Sequence, residues 1–457
     1  MANNLFSEFD PTNKSAWEKQ VEKEIKKPVN ELNRHALNLN KKLDPYYSFE
    51  EFDPENIAEL SACQRTTPGW LNMPETIVND VTEANKKIQE SLSGGAQAVV
   101  VDFQNKITTD GVSRLFHNIR LTDTPVFLKT RQNPLHVFEL ISKGSGYIMK
   151  GGIANDPLAQ WMRSGQSFNH SLKDISSLCK ATESMKDFYP VMVDGHVFHN
   201  AGATPQQELA FILANLAFYL DKLTDADIAP GLAFKSVFFS VSVGTDYLPE
   251  IAKLRALRLL HQRMANAYKV NNTKVFIHAS TSSLYNSATL PHTNMLRATS
   301  SAMSAVIGGC DALTVRPYDE LISQPNDFSE RIARNVSSII AHESYINQVA
   351  DPAAGSYYIE KLSQELAESA WELFLEIENN GGIIDCFENG YIQDGIEKSW
   401  QEKLAAMNNG RVMVGVNKYL NEFSEISDFT SATDNSETEV RLLQNRNLAE
   451  SWRTLHH

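Results

Sequence analysis

The sequence predicts an α/β chain built around a (β/α)8 barrel of the TIM type. Three observations carry that reading. Short, nearly continuous apolar runs recur along the chain, as strands buried on both faces of a parallel sheet do. Helical periodicity fills the intervals between them. The candidate runs number eight, which suits a closed barrel better than an open sheet.

Taken in order, residues 1–60 are expected to form an extended arm, either an ordinary surface arm or one that contacts another subunit. Trp17–Lys26 reads as a charged helix and aromatics lie between prolines from Leu43 to Pro54, but no independent core pattern is present. The barrel is placed at residues 61–360. Glu75–Leu92 carries helical spacing at Ile77, Val81, Ala84, Ile88 and Leu92, and Gly94-Gly95 stops it. The candidate strands are Ala96–Phe103, Thr124–Thr130, Gly146–Lys150, Pro190–Asp194, Lys235–Val243, Lys274–Ala279, Asp311–Val315 and Tyr345–Val349. The clearest helix between them is Asp246–Tyr268, with Ile251, Leu254, Leu257, Leu260 and Met264 on one stripe. Residues 361–420 form a helical extension through Leu362–Ile377 and Ile396–Met407. Residues 421–457 are a polar tail, with Asn421–Glu439 reading as a mobile linker.

Composition narrows the function classes. The 457 residues are 42% hydrophobic and 21% charged, enough apolar material for a large core. A formal charge of −14 disfavours broad binding to nucleic acid or anionic membranes. No apolar stretch is long enough to span a bilayer, and the first twenty residues lack the basic start and apolar core of a secretory signal. Cys63, Cys179, Cys310 and Cys386 lie too far apart for a zinc motif or a dense disulfide framework. Reduced structural thiols and a cytoplasmic location are expected.

In a TIM-type barrel, chemistry sits at the carboxyl ends of the strands. Asp194, His196 and His199 lie at one such end, but an extended strand would put 199 opposite 194 and 196, so no metal site is assigned. No P-loop, dinucleotide fingerprint, GxSxG elbow or HExxH motif occurs. Ser240, Ser242, Ser280 and Ser282 are unusual for barrel strands. If they point inward, they line a polar axis open enough for a slender ligand; the ordinary alternative is hydroxyls satisfied by neighbouring backbone.

Longer blocks resemble a known family. Asn326–Leu362 (NDFSERIARNVSSIIAHESYINQVADPAAGSYYIEKL), Ala201–Phe218, Glu250–Leu260, Ala302–Glu320 and Gly410–Tyr419 are similar to the adenosylcobalamin-dependent acyl-CoA mutases, of which methylmalonyl-CoA mutase is the best-known member. The resemblance runs from about Trp17 to Tyr419. It implies a (β/α)8 barrel preceded by a subunit-contacting arm.

The departures from that family fall on its active site. Active members carry W-x-x-R-Q-Y-A-G-F, whose tyrosine falls on Glu75 here, within WLNMPETIV. They carry S-Y-H-x-x-E-A-G-A, whose histidine reaches the thioester carbonyl; here His196 stands at the tyrosine and Val197 at the histidine. A substrate histidine in G-G-T-Q-S-L-H falls on Thr314. The D-x-H-x-x-G motif of the flavodoxin-like cobalamin domain does not occur in this sequence, so that domain is expected to be absent. The resemblance therefore implies a noncatalytic small subunit of a heterodimer, with no catalytic, cofactor-binding or metal-binding residue of its own. A large partner subunit would hold adenosylcobalamin and the acyl-CoA, and would interconvert methylmalonyl-CoA and succinyl-CoA. Two other readings stand beside it: an autonomous acyl-CoA mutase barrel served by a separate cobalamin-binding chain, and an acyl-CoA-binding module without turnover.

Overall fold

The computed structural model describes residues 12–35, 42–52, 54–145, 149–271, 273–420 and 440–456. The linker expected at Asn421–Glu439 lies outside the described residues, as does most of the strand expected at Gly146–Lys150.

Parallel strands form two five-stranded sheets. In the first, Leu71–Asn72 pairs with Ala312–Thr314, which continues through Ile277–Thr281 and Val237–Val243 to Val191–Asp194. In the second, Glu75–Val78 leads through Val99–Phe103, Val126–Thr130 and Gly151–Ile153 to Phe188–Tyr189. Proline decides where the ladders break. Pro74 separates Leu71–Asn72 from Glu75–Val78, and Pro190 separates Phe188–Tyr189 from Val191–Asp194. Neither residue has an N–H to continue a ladder, so the chain on either side pairs with a different neighbour. Helices alternate with the strands. This mixed α/β arrangement is consistent with a TIM-type barrel.

Alternation within the strands sorts side chains into two layers. Along Val237–Val243, Phe239, Val241 and Val243 join the large core beneath the helices, while Phe238, Ser240 and Ser242 face a cavity on the other side. Two long helices build much of the outer core. Pro205–Asp225 begins with a capping box between Thr204 and Gln207, and Pro205 takes the first turn, where a missing N–H costs nothing. Tyr247–Ala267 packs beside it, and both bury residues along most of their lengths. That is why their apolar positions are not confined to one stripe.

Several expected elements move. Tyr345–Val349 is not a strand: Ile346–Gln348 is a 3-10 turn, and Tyr345 stands at φ 55. Strand material comes first instead, at Leu71–Asn72 and at Glu75–Val78, the latter inside the segment Glu75–Leu92 that helical spacing assigns to a helix. Thr76 and Val78 are buried while Ile77 is 52% exposed, a two-residue period. The helix starts only at Val81, where Asp80 accepts from the N–H groups of Thr82 and Glu83. A strand follows at Gly151–Ile153, and the one expected at Lys274–Ala279 lies at Ile277–Thr281.

The arm carries the expected helix, Lys14–Ile25, which buries no residue. Lys14 bonds Asp44 at 3.0 Å and Glu51 at 2.5 Å, and Trp17 stacks on Tyr46. Beyond the strands run the helices Tyr357–Asn379 and Tyr391–Asn408. A final helix, Leu448–Thr454, packs on Trp400, Leu404 and Leu284. The four cysteines are free thiols. Among the described residues no helix is long and apolar enough to cross a membrane.

Candidate functional site

The inward-facing side chains change character along the strands. Toward the amino ends, Phe127, Phe238, Phe276 and Tyr189 cluster with ring centroids 5.0–6.3 Å apart. Met73, Ala98, Val100, Met192 and Ala312 pack around them. Above this aromatic floor lies a polar cavity of about 330 Å³, lined by Ser240, Ser242, Ser280, Ser282, His196 and His278 among others. Lys129, Arg163 and Arg316 stand at its rim, their side chains 46%, 39% and 43% exposed.

The polar wall is a single directed hydrogen-bond chain, and one backbone carbonyl fixes its direction. Thr314 Oγ1 lies 2.5 Å from the carbonyl oxygen of Met73, which can only accept, so the Thr314 hydroxyl donates there. Thr314 must then accept from His278 Nε2–H at 2.8 Å. That leaves His278 Nδ1 as an acceptor for the Ser240 hydroxyl, also at 2.8 Å. Ser240 in turn accepts from His196 Nε2–H at 2.9 Å, and His196 Nδ1 accepts from Ser242 at 2.5 Å. With both imidazoles neutral, they are therefore Nε2–H tautomers with both nitrogens occupied. Burial agrees with this: it pushes His196 well below the usual histidine range and His278 down to about 4. No imidazole N–H of this pair is left to meet a ligand carbonyl.

The rim is a set of closed ion pairs. Lys129 bonds Glu75 at 2.6 Å and Asp102 at 3.0 Å, Arg163 bonds Asp194 at 3.1 Å, and Arg316 bonds Glu320 at 2.6 Å. Burial alone would raise the Glu75 carboxyl, but Lys129 and Arg316 outweigh it and hold Glu75 below the usual carboxylate range. The same burial works against Lys129, whose ammonium Glu75 and Asp102 keep charged.

These positions give each sequence-predicted residue a place. Glu75, His196 and Thr314 line the cavity together with the four serines. Val197 does not: it is 1% exposed within the core under the helices. His199 turns toward Glu208 and Ser282. Ser280 Oγ is buried and has no partner among the described residues. Sequence reasoning missed Lys129, Arg163 and Asn200 as lining groups. The signal was present for Lys129, which interrupts the apolar run Val126–Leu128 on its strand. Arg163 comes from the helix Pro157–Ser164, whose spacing says nothing about the cavity.

Comparison with known proteins places this architecture. Residues 95–454 match the family described as Methylmalonyl-CoA mutase. The protein named methylmalonyl-CoA mutase small subunit of Porphyromonas gingivalis is 31% identical over 448 residues, covering 93% of this chain and 72% of that one. The small subunit of Streptomyces virginiae is 29% identical over 426 residues, covering 87% and 69%. The large subunit of Porphyromonas gingivalis aligns over less, at 33% identity across 279 residues, 59% of this chain and 39% of that one. With four-fifths of its length matched and small subunits aligned along most of it, this chain belongs to the methylmalonyl-CoA mutase family.

Proposed function

We propose that this chain is the noncatalytic small subunit of a heterodimeric methylmalonyl-CoA mutase. The observation that carries the reading is the closed hydrogen-bond chain from Met73 to Ser242. It leaves neither cavity imidazole able to donate to a thioester oxygen, and Val197, at the family's histidine position, has no donor at all. Losing one positioned donor to developing charge typically costs a factor on the order of 10²–10³ in rate. The aromatic floor adds a steric argument, because Phe127, Phe238, Phe276 and Tyr189 fill the axis along which a slender ligand would thread.

The two sheets are read as halves of one eight-stave barrel. Residues 71–78 and 188–194 each form a stave divided by proline and shared between the halves. Residues 1–60 serve as the subunit-contacting arm, 61–360 as the barrel, 361–420 as the helical extension and 421–457 as a tail. The described residues at the cavity mouth do not fit a cobalt-bound corrinoid. His196, His199 and His278 have both ring nitrogens in hydrogen bonds, so none offers a free ligand. Adenosylcobalamin and the isomerisation of methylmalonyl-CoA to succinyl-CoA are accordingly assigned to the large partner. This chain contributes contact surface, which stabilises the partner by mass action in the cytoplasm.

Co-expression with a large mutase subunit tests the proposal. A 1:1 complex with mutase activity, and no activity from this chain alone, is the expected outcome. A stable homodimer of this chain that isomerises methylmalonyl-CoA would overturn it.

A further inference from the structure

A third histidine stands apart from the chain anchored at Met73. His199 is 3% exposed, with Nε2 2.9 Å from Ser282 Oγ and Nδ1 3.3 Å from Glu208 Oε2. Glu208 is fully buried, where an isolated carboxyl would be neutral. Lys253 lies 2.8 Å from the same oxygen, and despite burial it holds Glu208 below the usual carboxylate range, hence ionised. An ionised carboxylate only accepts, so a neutral His199 ring carries its proton on Nδ1 and its lone pair on Nε2. Ser282 therefore donates its hydroxyl proton to His199. The backbone N–H of Leu284 donates to Ser282 Oγ at 3.1 Å and favours charge building on that oxygen. Hydroxyl, imidazole and carboxylate thus stand in the order that activates a nucleophilic serine. The neighbouring pair, Ser242 and His196, lacks the acid, because the second nitrogen of His196 bonds only a hydroxyl.

We propose that Ser282, His199 and Glu208 form an acyl-transfer site that hydrolyses short-chain carboxylic esters, an activity separate from the isomerisation. Ser282 Oγ attacks the ester carbonyl carbon as its proton passes to His199 Nε2. Collapse of the tetrahedral intermediate breaks the bond to the alkoxy oxygen, which leaves as an alcohol carrying that proton. Water then adds to the acyl-serine carbonyl and gives a proton to His199. A second collapse releases the carboxylic acid and restores Ser282. Asn200 and Asn445 line the same cavity and bring side-chain amides for the oxyanion. The cavity, of about 330 Å³, has room for a small ester. Ser282 is half-buried and lines the cavity, so small molecules reach it.

The test is hydrolysis of p-nitrophenyl acetate together with labelling by an alkyl fluorophosphonate and mass-spectrometric mapping of the adduct. One adduct per intact chain on Ser282 is expected. Ser282→Ala should abolish labelling and His199→Gln should slow it at least ~100-fold, the scale of a lost general base, with melting temperatures unchanged. Mapping on the unmodified chain does not depend on either variant folding. No adduct, an adduct on another residue, or labelling that survives Ser282→Ala would overturn the proposal.

Discussion

A carbonyl oxygen that cannot donate has consequences five hydrogen bonds away. Because Met73 orients Thr314, the tautomers of His278 and His196 are fixed in turn. Nitrogen-15 spectra of the imidazoles should show Nε2–H forms for both and no protonation of His278 at pH 5. A His278 titration near 6.5 would contradict the chain. The same burial links stability to pH. The folded-state value of about 4 for His278 lies below its unfolded value near 6.5, so the unfolded chain binds the proton first as pH falls. Stability is complete above about 6.5 and is lost as pH falls toward about 4, by on the order of 3 kcal/mol from this group. His261, pushed to about 4 by burial and Arg258, adds in the same direction. Urea denaturation from pH 7 to pH 4.5 measures this, and a flat profile would contradict it. The buried cluster of Lys253, Glu208 and Glu250 gives a further outcome. Lys253→Met leaves Glu208 and Glu250 without their cation and should cost about 3–5 kcal/mol in a denaturant titration. A loss under 1 kcal/mol would mean that the pair contributes little.

At the scale of elements, glycine and proline set the strands more firmly than apolar runs do. Gly151 opens its strand at φ 119, and a Cβ built there would meet the backbone of Val126 at 2.0 Å. Gly151→Ala should therefore break the pairing of Val126 with Gly151, seen as loss of soluble protein or a lower melting temperature; an unchanged melting curve would contradict the close approach. The same features explain what could be read in the sequence. Val99–Phe103, Val126–Thr130 and Val237–Val243 were legible because their buried faces are apolar on the helix side. Ile277–Thr281 was displaced because its inward face is His278 and Ser280, which ends the apolar run too early. Leu71–Asn72 and Glu75–Val78 were hidden because the strand material is short, divided by Pro74 and followed at once by a helix whose spacing extends back over it. The serines drew attention as unusual strand residues. The partners that complete their hydrogen bonds, His278 and Thr314, lie on the neighbouring strands Ile277–Thr281 and Ala312–Thr314, and spacing along one strand cannot show them.

For the whole molecule, the scaffold and the grip on a substrate are separate matters. Family membership, parallel sheets and the long packed helices speak for a retained scaffold. Packed rings at the cavity floor, paired cations at the rim and occupied imidazoles on the wall speak against a seat for a thioester. Calorimetric titration of the isolated chain with methylmalonyl-CoA brings the two together. No saturable heat is expected up to millimolar ligand, while a well-defined 1:1 isotherm would show that this cavity takes the substrate after all.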